Sequence, residues 1–136
     1  MWETERAFEL HLDDATVAGR ADVVLDREGV VTGAMAIVDY KTRAVAGDDT
    51  LALQLKVYTA AARGEGIDVR GAYLHDLGGD ARHARTKVDT SSRAVDAARR
   101  EVGTLAKRVR LRCFEATPGA NCANCHVRKV CASAAA

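Results

Sequence analysis

A succession of strand-like segments through the first forty positions, opened by an apolar–polar alternation, restricts this fold more than any other feature. In "AFELHL", Phe8, Leu10 and Leu12 alternate with polar neighbours. "RADVVLD" follows, then the turn-forming "DREG", then "VTGAMAIVDYK". A period of two is the mark of a strand that buries one face. This alternating segment and the two apolar segments after it, joined by short polar stretches, predict an antiparallel meander, with a hairpin turn at Asp26–Gly29.

The period then changes. "DDTLALQLKVYTAAARGEG" reads as a helix, with Asp48, Asp49 and Thr50 as cap candidates and Gly64 and Gly66 as the stop. "VRGAYLHDL" reads as a further strand, "GGDARHAR" as a loop and "TKVDT" as a short strand. "SSRAVDAARREVGTLAKRVRLRCF" reads as a long helix capped at Thr90, Ser91 or Ser92. The order β-β-β-α-β-(β)-α predicts an α/β domain. Its mixed β-sheet, a meander plus the following strands, is flanked by helices and trailed by a cysteine-rich tail.

At 136 residues the chain makes one compact domain rather than two, and with 4% aromatic residues its core is built mainly from Ala, Val and Leu. Net charge is +1, but the charge is unevenly spread. Residues 1–92 hold 11 Lys/Arg and 16 Asp/Glu, while residues 93–136 hold 9 and 3. The acidic part suits a cation and the basic part suits phosphates. No apolar run nears the roughly 20 residues that span a bilayer. The acidic start "MWETERAFEL" has no signal-peptide core, so a cytoplasmic protein without membrane partners is expected. In that compartment the four cysteines are expected as metal ligands or thiols rather than disulfides.

Asp39 and Lys41 lie two apart at the end of an apolar strand, so they share a face. A tight hairpin would bring Asp22 close to Asp39. Two carboxylates at one point repel unless a divalent cation lies between them, and Mg²⁺ takes one or two carboxylates plus water and phosphate. Lys41 would stand beside the water on that cation and stabilise charge on the phosphate. The plainer alternative is a surface hairpin with an Asp39–Lys41 ion pair. Gln54 and Tyr58, at i and i+4, share a helical face directed at phosphate or base, or are an ordinary exposed glutamine and half-buried tyrosine.

In the tail, Cys122, Cys125 and Cys131 form C-x2-C-x5-C, a spacing at which thiolates converge on a metal or an iron–sulfur cluster. Cys113 reads either as a substitute fourth thiolate or, preferred here, as a buried helix-end cysteine. His126 is a further stand-in ligand. Among the acids before Asp22, Glu9 is the one placed to join a metal site. His11 is expected to face solvent, and His75 lies on a central strand within reach of the site. The basic residues from Arg93 to Arg112 make either a solvated face or a contact for a DNA backbone.

"GRADVV…AIVDYKT…QLKVY" resembles the RecB-type branch of the PD-(D/E)XK nuclease superfamily. That branch has G-x-x-D on one strand, an apolar run ending in D-Y-K-T, and Q-x-x-x-Y on the next helix. Here these are Gly19 to Asp22, Ile37 to Thr42 and Gln54 to Tyr58. The resemblance implies a restriction-endonuclease-like core and a metal-dependent nuclease. Asp22 and Asp39 would bind Mg²⁺ or Mn²⁺, Lys41 would be catalytic, and Gln54 and Tyr58 would support it. In helicase–nucleases of the AddB and AdnB kinds, a cysteine triplet like Cys122, Cys125 and Cys131 joins an upstream cysteine on a 4Fe–4S cluster. No cysteine precedes Cys113 here, and the family's first helix is missing. The chain is therefore expected to be an N-terminally truncated fragment, with a nuclease core at 1–112 and a cysteine tail at 113–136 that holds a 4Fe–4S cluster, loss of the cluster or its replacement by Zn²⁺ being the alternative.

The resemblance implies a DNA nuclease of a RecB-family helicase–nuclease, acting on single-stranded DNA ends in repair and recombination. Its partners would be an upstream helicase domain or a partner subunit. A CRISPR-adaptation exonuclease shares these motifs. A non-catalytic DNA- or partner-binding domain, or a zinc-binding regulatory protein, remains as a reading of a different class. Retention of Asp22, Asp39 and Lys41 favours catalysis.

Overall fold

A computed structural model describes residues 2–26, 34–42, 49–78 and 85–133. The elements run β1 (Trp2–His11), β2 (Thr16–Asp26), β3 (Ala34–Lys41), α1 (Asp49–Gly64), β4 (Asp68–Asp76), β5 (Arg85–Val88) and α2 (Ser92–Arg110). Two 3-10 turns follow, at Ala120–Asn124 and Arg128–Val130. The expected hairpin turn beyond Asp26, the cap candidate Asp48, most of the "GGDARHAR" loop and His83 lie outside the described residues. Contacts divide the chain into residues 1–104, which hold the sheet, and residues 105–136, which hold the cysteines. No helix among the described residues is long and apolar enough to cross a membrane.

The five strands lie in the order β1-β2-β3-β4-β5. The first three pair antiparallel, as the meander requires. β3 and β4 pair in parallel with α1 as the crossover, and β5 returns antiparallel to β4. This is the expected α/β class, a mixed sheet flanked by two helices. Ligand sites on such sheets gather beyond the carboxyl ends of the parallel strands. Asp39 and Lys41 stand at that end of β3.

One face of the sheet packs on α1. Phe8, Leu10, Ile37, Ala72, Leu74 and Val88 share a buried cluster with Leu51, Leu55 and Tyr58 of α1. From Val57 to Ala62 every residue of α1 is buried, so the helix is enclosed around its whole girth. Three of those six are alanines, which allow close approach. α2 contributes Val95 to the same cluster. It starts at Ser91, whose Oγ accepts the Ala94 amide and whose carbonyl accepts the Val95 amide.

Glycine ends α1 as its sequence predicts. Gly66 has φ +83°, the Gly66 amide donates to Arg63 O, and the Ile67 amide donates to Ala62 O. These two bonds satisfy the last helical carbonyls while Ile67 folds back on the core. α2 ends with the same pair of bonds, from Arg112 to Val109 O and from Cys113 to Arg108 O. There Arg112 takes the left-handed position at φ +55°, where glycine would be unstrained.

Two strands break the period of two. In β4, Met35 pairs with Val69 and Ala36 pairs with Gly71, so Arg70 is an extra, bulged residue. The bulge resets the phase, and Val69 and Ala72 both enter the core. In β2, Ala21 and Val24 both enter the core. The β1–β2 ladder runs in constant register but omits the pair Glu5–Asp22, and Glu5 has φ +54°. The distortion in β2 therefore falls at Asp22.

Candidate active site

The β2–β3 ladder runs from Asp26↔Met35 to Val23↔Val38 and ends there. One step further, Asp22 comes opposite Asp39. The Tyr40 amide donates to Asp22 Oδ2 at 2.6 Å, so a side-chain carboxylate takes over where the β2 backbone stops accepting. Asp22 is thereby fixed beside the end of β3. The left-handed backbone of Glu5, opposite it, stores strain of roughly 1–3 kcal/mol next to this position, a common companion of functional sites.

Asp39 is 2% exposed. Lys41 Nζ lies 2.5 Å from its Oδ2. That approach is off the direction of a well-formed hydrogen bond, and no other donor reaches this buried oxygen. Burial pushes the Asp39 carboxyl above its ordinary value of 3.8. The hydrogen-bonding and charge attraction of Lys41 oppose the rise, and the negative charge of Asp22 adds to it.

Lys41 is held from the other side by α1. Its Nζ donates to Gln54 Oε1 at 3.3 Å, and Gln54 Nε2 donates to the Tyr58 hydroxyl at 2.8 Å. An ammonium only donates, so the Gln54 oxygen must face Lys41 and its NH₂ must face Tyr58. The Tyr58 ring sits 6.1 Å from that of Phe8, centroid to centroid, and passes over Gly19. A Cβ on Gly19 would lie 2.4 Å from Tyr58 Cε1. Glycine is thus needed here for space, and Gly19 and Tyr58 act as one packing unit.

The donor set fits a hard divalent cation. It offers two neighbouring carboxylates, one with a buried oxygen that accepts no directed hydrogen bond. Mg²⁺ needs little more from a protein, because water and substrate phosphate fill its other positions. Among the described residues no three metal-capable side chains converge. Glu9 pairs with Ala18, well along β2 from Asp22, and does not join the pair.

A model of the PD-(D/E)XK nuclease superfamily matches residues 1–132. The chain belongs to this superfamily. The crystal structure of SSO0001 superposes with a TM-score of 0.59 at 15% identity, over 99% of this chain and 61% of that one. This likeness speaks for the fold, and the chain spans about three fifths of that structure's length. No curated protein matches the sequence significantly.

PD-(D/E)XK nucleases generally use divalent metals such as Mg²⁺ or Mn²⁺, and their fold implies DNA binding. In this chain Asp39, Lys41, Gln54 and Tyr58 follow one another in polar contact, and Asp22 stands beside them through the Tyr40 amide. Gly19 had no assigned role, although its place in G-x-x-D was the available signal. His75 pairs with Tyr40 in the ladder and so faces away from Asp39 and Lys41. His11 is exposed, as expected. Cys113, read from sequence as a buried helix-end residue, is exposed, one residue past the left-handed Arg112 that closes α2. None of the four cysteines forms a disulfide. Cys122, Cys125, Cys131 and His126 do not gather into a ligand set among the described residues.

Two outcomes test the site's packing and charge. Gly19→Ala should cost roughly 1–3 kcal/mol of stability by overpacking. In a Tyr58→Leu background the same change should cost clearly less, which a double-mutant cycle of urea midpoints would read. For Asp39, the folded pKa lies above the unfolded one. Between the two values the folded state keeps a proton that the unfolded chain has lost. In EDTA, wild-type stability should fall relative to Asp39→Asn as pH rises through this window above 3.8, then level off. A flat difference from about pH 4 to about pH 7 would contradict the raised pKa.

Proposed function

We propose that this chain is a Mg²⁺- or Mn²⁺-dependent deoxyribonuclease of the RecB type, hydrolysing single-stranded DNA ends. The observation that carries the reading is the placement of Lys41 between a buried Asp39 and Gln54, with Asp22 alongside. Asp22 and Asp39 would hold the cation. Such a cation, when bound, supplies Lewis acidity and positive charge at the scissile phosphate. Lys41 places its ammonium where charge develops on phosphate oxygens. Gln54 aims that ammonium by accepting from it, and Tyr58 fixes the amide orientation of Gln54. Gly19 leaves room for the Tyr58 ring. Gln54 and Tyr58 are thus positioning residues that act through Lys41.

In this reading residues 1–112 are the nuclease core and residues 113–136 the cysteine tail. The motif order supports placing the domain in a helicase–nuclease of DNA repair and recombination, beside a helicase domain or subunit. The tail's C-x2-C-x5-C spacing supports a 4Fe–4S cluster or Zn²⁺ on Cys122, Cys125 and Cys131. Among the described residues no three metal-capable side chains converge in the tail, and no step of the reaction is assigned to the cluster.

Cleavage of end-labelled single-stranded DNA tests the core. Activity should require Mg²⁺ or Mn²⁺ and fall by about a hundredfold or more in Lys41→Ala. Cleavage unchanged in that variant would remove Lys41 from the mechanism. For the tail, protein purified without oxygen should contain iron and sulfide, or zinc, that Cys125→Ser loses. Metal-free wild-type protein would count against the tail as a metal site.

A further inference from the structure

The sheet has a second face, opposite the one that α1 covers. Cross-strand neighbours share a face, and two rows of them cross β3, β4 and β5. One row is Tyr40, His75 and Arg85, and the next is Val38, Tyr73 and Lys87. The Tyr40 and His75 rings meet edge to face, 5.3 Å between centroids. The Arg85 guanidinium lies 5.7 Å from the centre of the Tyr73 ring. Tyr73 in turn lies over Gly71, where an added Cβ would come within 2.9 Å of the ring. The aromatics are thus braced by one another and by glycine. Arg85 and Lys87 are exposed and form no ion pair among the described residues. Tyr40 is 41% exposed, in a chain that is only 4% aromatic.

We propose that Tyr40, His75, Tyr73, Arg85 and Lys87 form a platform that binds single-stranded DNA, with a base stacked on Tyr40 and the backbone drawn to Arg85 and Lys87. One exposed aromatic ring, Tyr40, with the half-buried His75 and Tyr73 behind it and the exposed cations Arg85 and Lys87 beside it, is the chemistry that holds unpaired bases and phosphates together. Position supports the same occupant. Tyr40 lies between Asp39 and Lys41, and successive residues of a strand point to opposite faces. A single strand bending over the carboxyl end of β3 would meet the acid–lysine pair on one side and Tyr40 on the other. The platform deepens the nuclease reading and rests on it for its biological meaning, but its test does not require cleavage.

The measurement is fluorescence anisotropy of the full chain in EDTA, with a fluorescein-labelled oligodeoxynucleotide and an abasic oligomer of the same length. Tyr40→Ala should weaken binding of the base-bearing strand by about tenfold while changing the abasic strand little. Tyr40→Trp should keep the affinity, and Arg85→Ala should weaken both strands with a shallower salt dependence. The platform is overturned if Tyr40→Ala binds both strands as wild type does, if it loses both equally, or if duplex binds as tightly as single strand. Metal-dependent cleavage with unchanged Tyr40→Ala binding would sink the platform alone. Base-dependent binding without cleavage would leave the platform standing and sink the nuclease reading.

Discussion

A carboxylate almost fully removed from water at the end of a central strand is the arrangement around which the rest is built. Burial alone favours the neutral acid, and a second carboxylate nearby makes ionisation harder still. Lys41 answers part of that cost through its charge. The remainder is left in place, in an oxygen that no aligned donor reaches. An interior poised in this way gains most from an incoming cation, because the cation stabilises the form that burial disfavours. The fold pays for an affinity that it uses only when loaded.

Holding Lys41 in place requires agreement between distant parts of the chain. α1 supplies Gln54 and Tyr58, and the β3–α1–β4 crossover lays that helix across the sheet. The helix can approach closely enough only because β2 presents a bare backbone at Gly19. Its alanine-rich second half lets it lie enclosed without wide spacing. The polar chain from Asp39 to Tyr58, an ion pair followed by two hydrogen bonds, is therefore a product of packing as much as of polar chemistry.

Much of this was legible in the sequence. Alternation around Phe8 and Leu10 and the apolar run from Met35 to Val38 marked strands, and Gly66 marked the helix stop for the expected reason of a left-handed backbone. Spacing put Asp39 with Lys41 and Gln54 with Tyr58, while bringing these pairs and Asp22 to one place was what the resemblance implied. What escaped were departures from periodicity. The bulge at Arg70 shifts β4 by one residue, the distortion at Glu5–Asp22 turns β2 without changing its register, and neither Arg70, Glu5 nor Asp22 is the glycine or proline that usually marks such a break. Cys113 was misread because α2 stops short of it. Arg112 closes the helix with a left-handed conformation that its residue type does not advertise.

The left-handed Glu5 has a consequence beyond the site. β1 is an edge strand of ten residues, and its outer row of amides and carbonyls could template another chain. A regular edge of that length invites intermolecular pairing. Glu5 interrupts its regularity midway, and Glu3, Arg6 and Glu9 put charge along the same stretch. The distortion that frees Asp22 from its ladder thus also makes the border of the sheet a poor seed for aggregation.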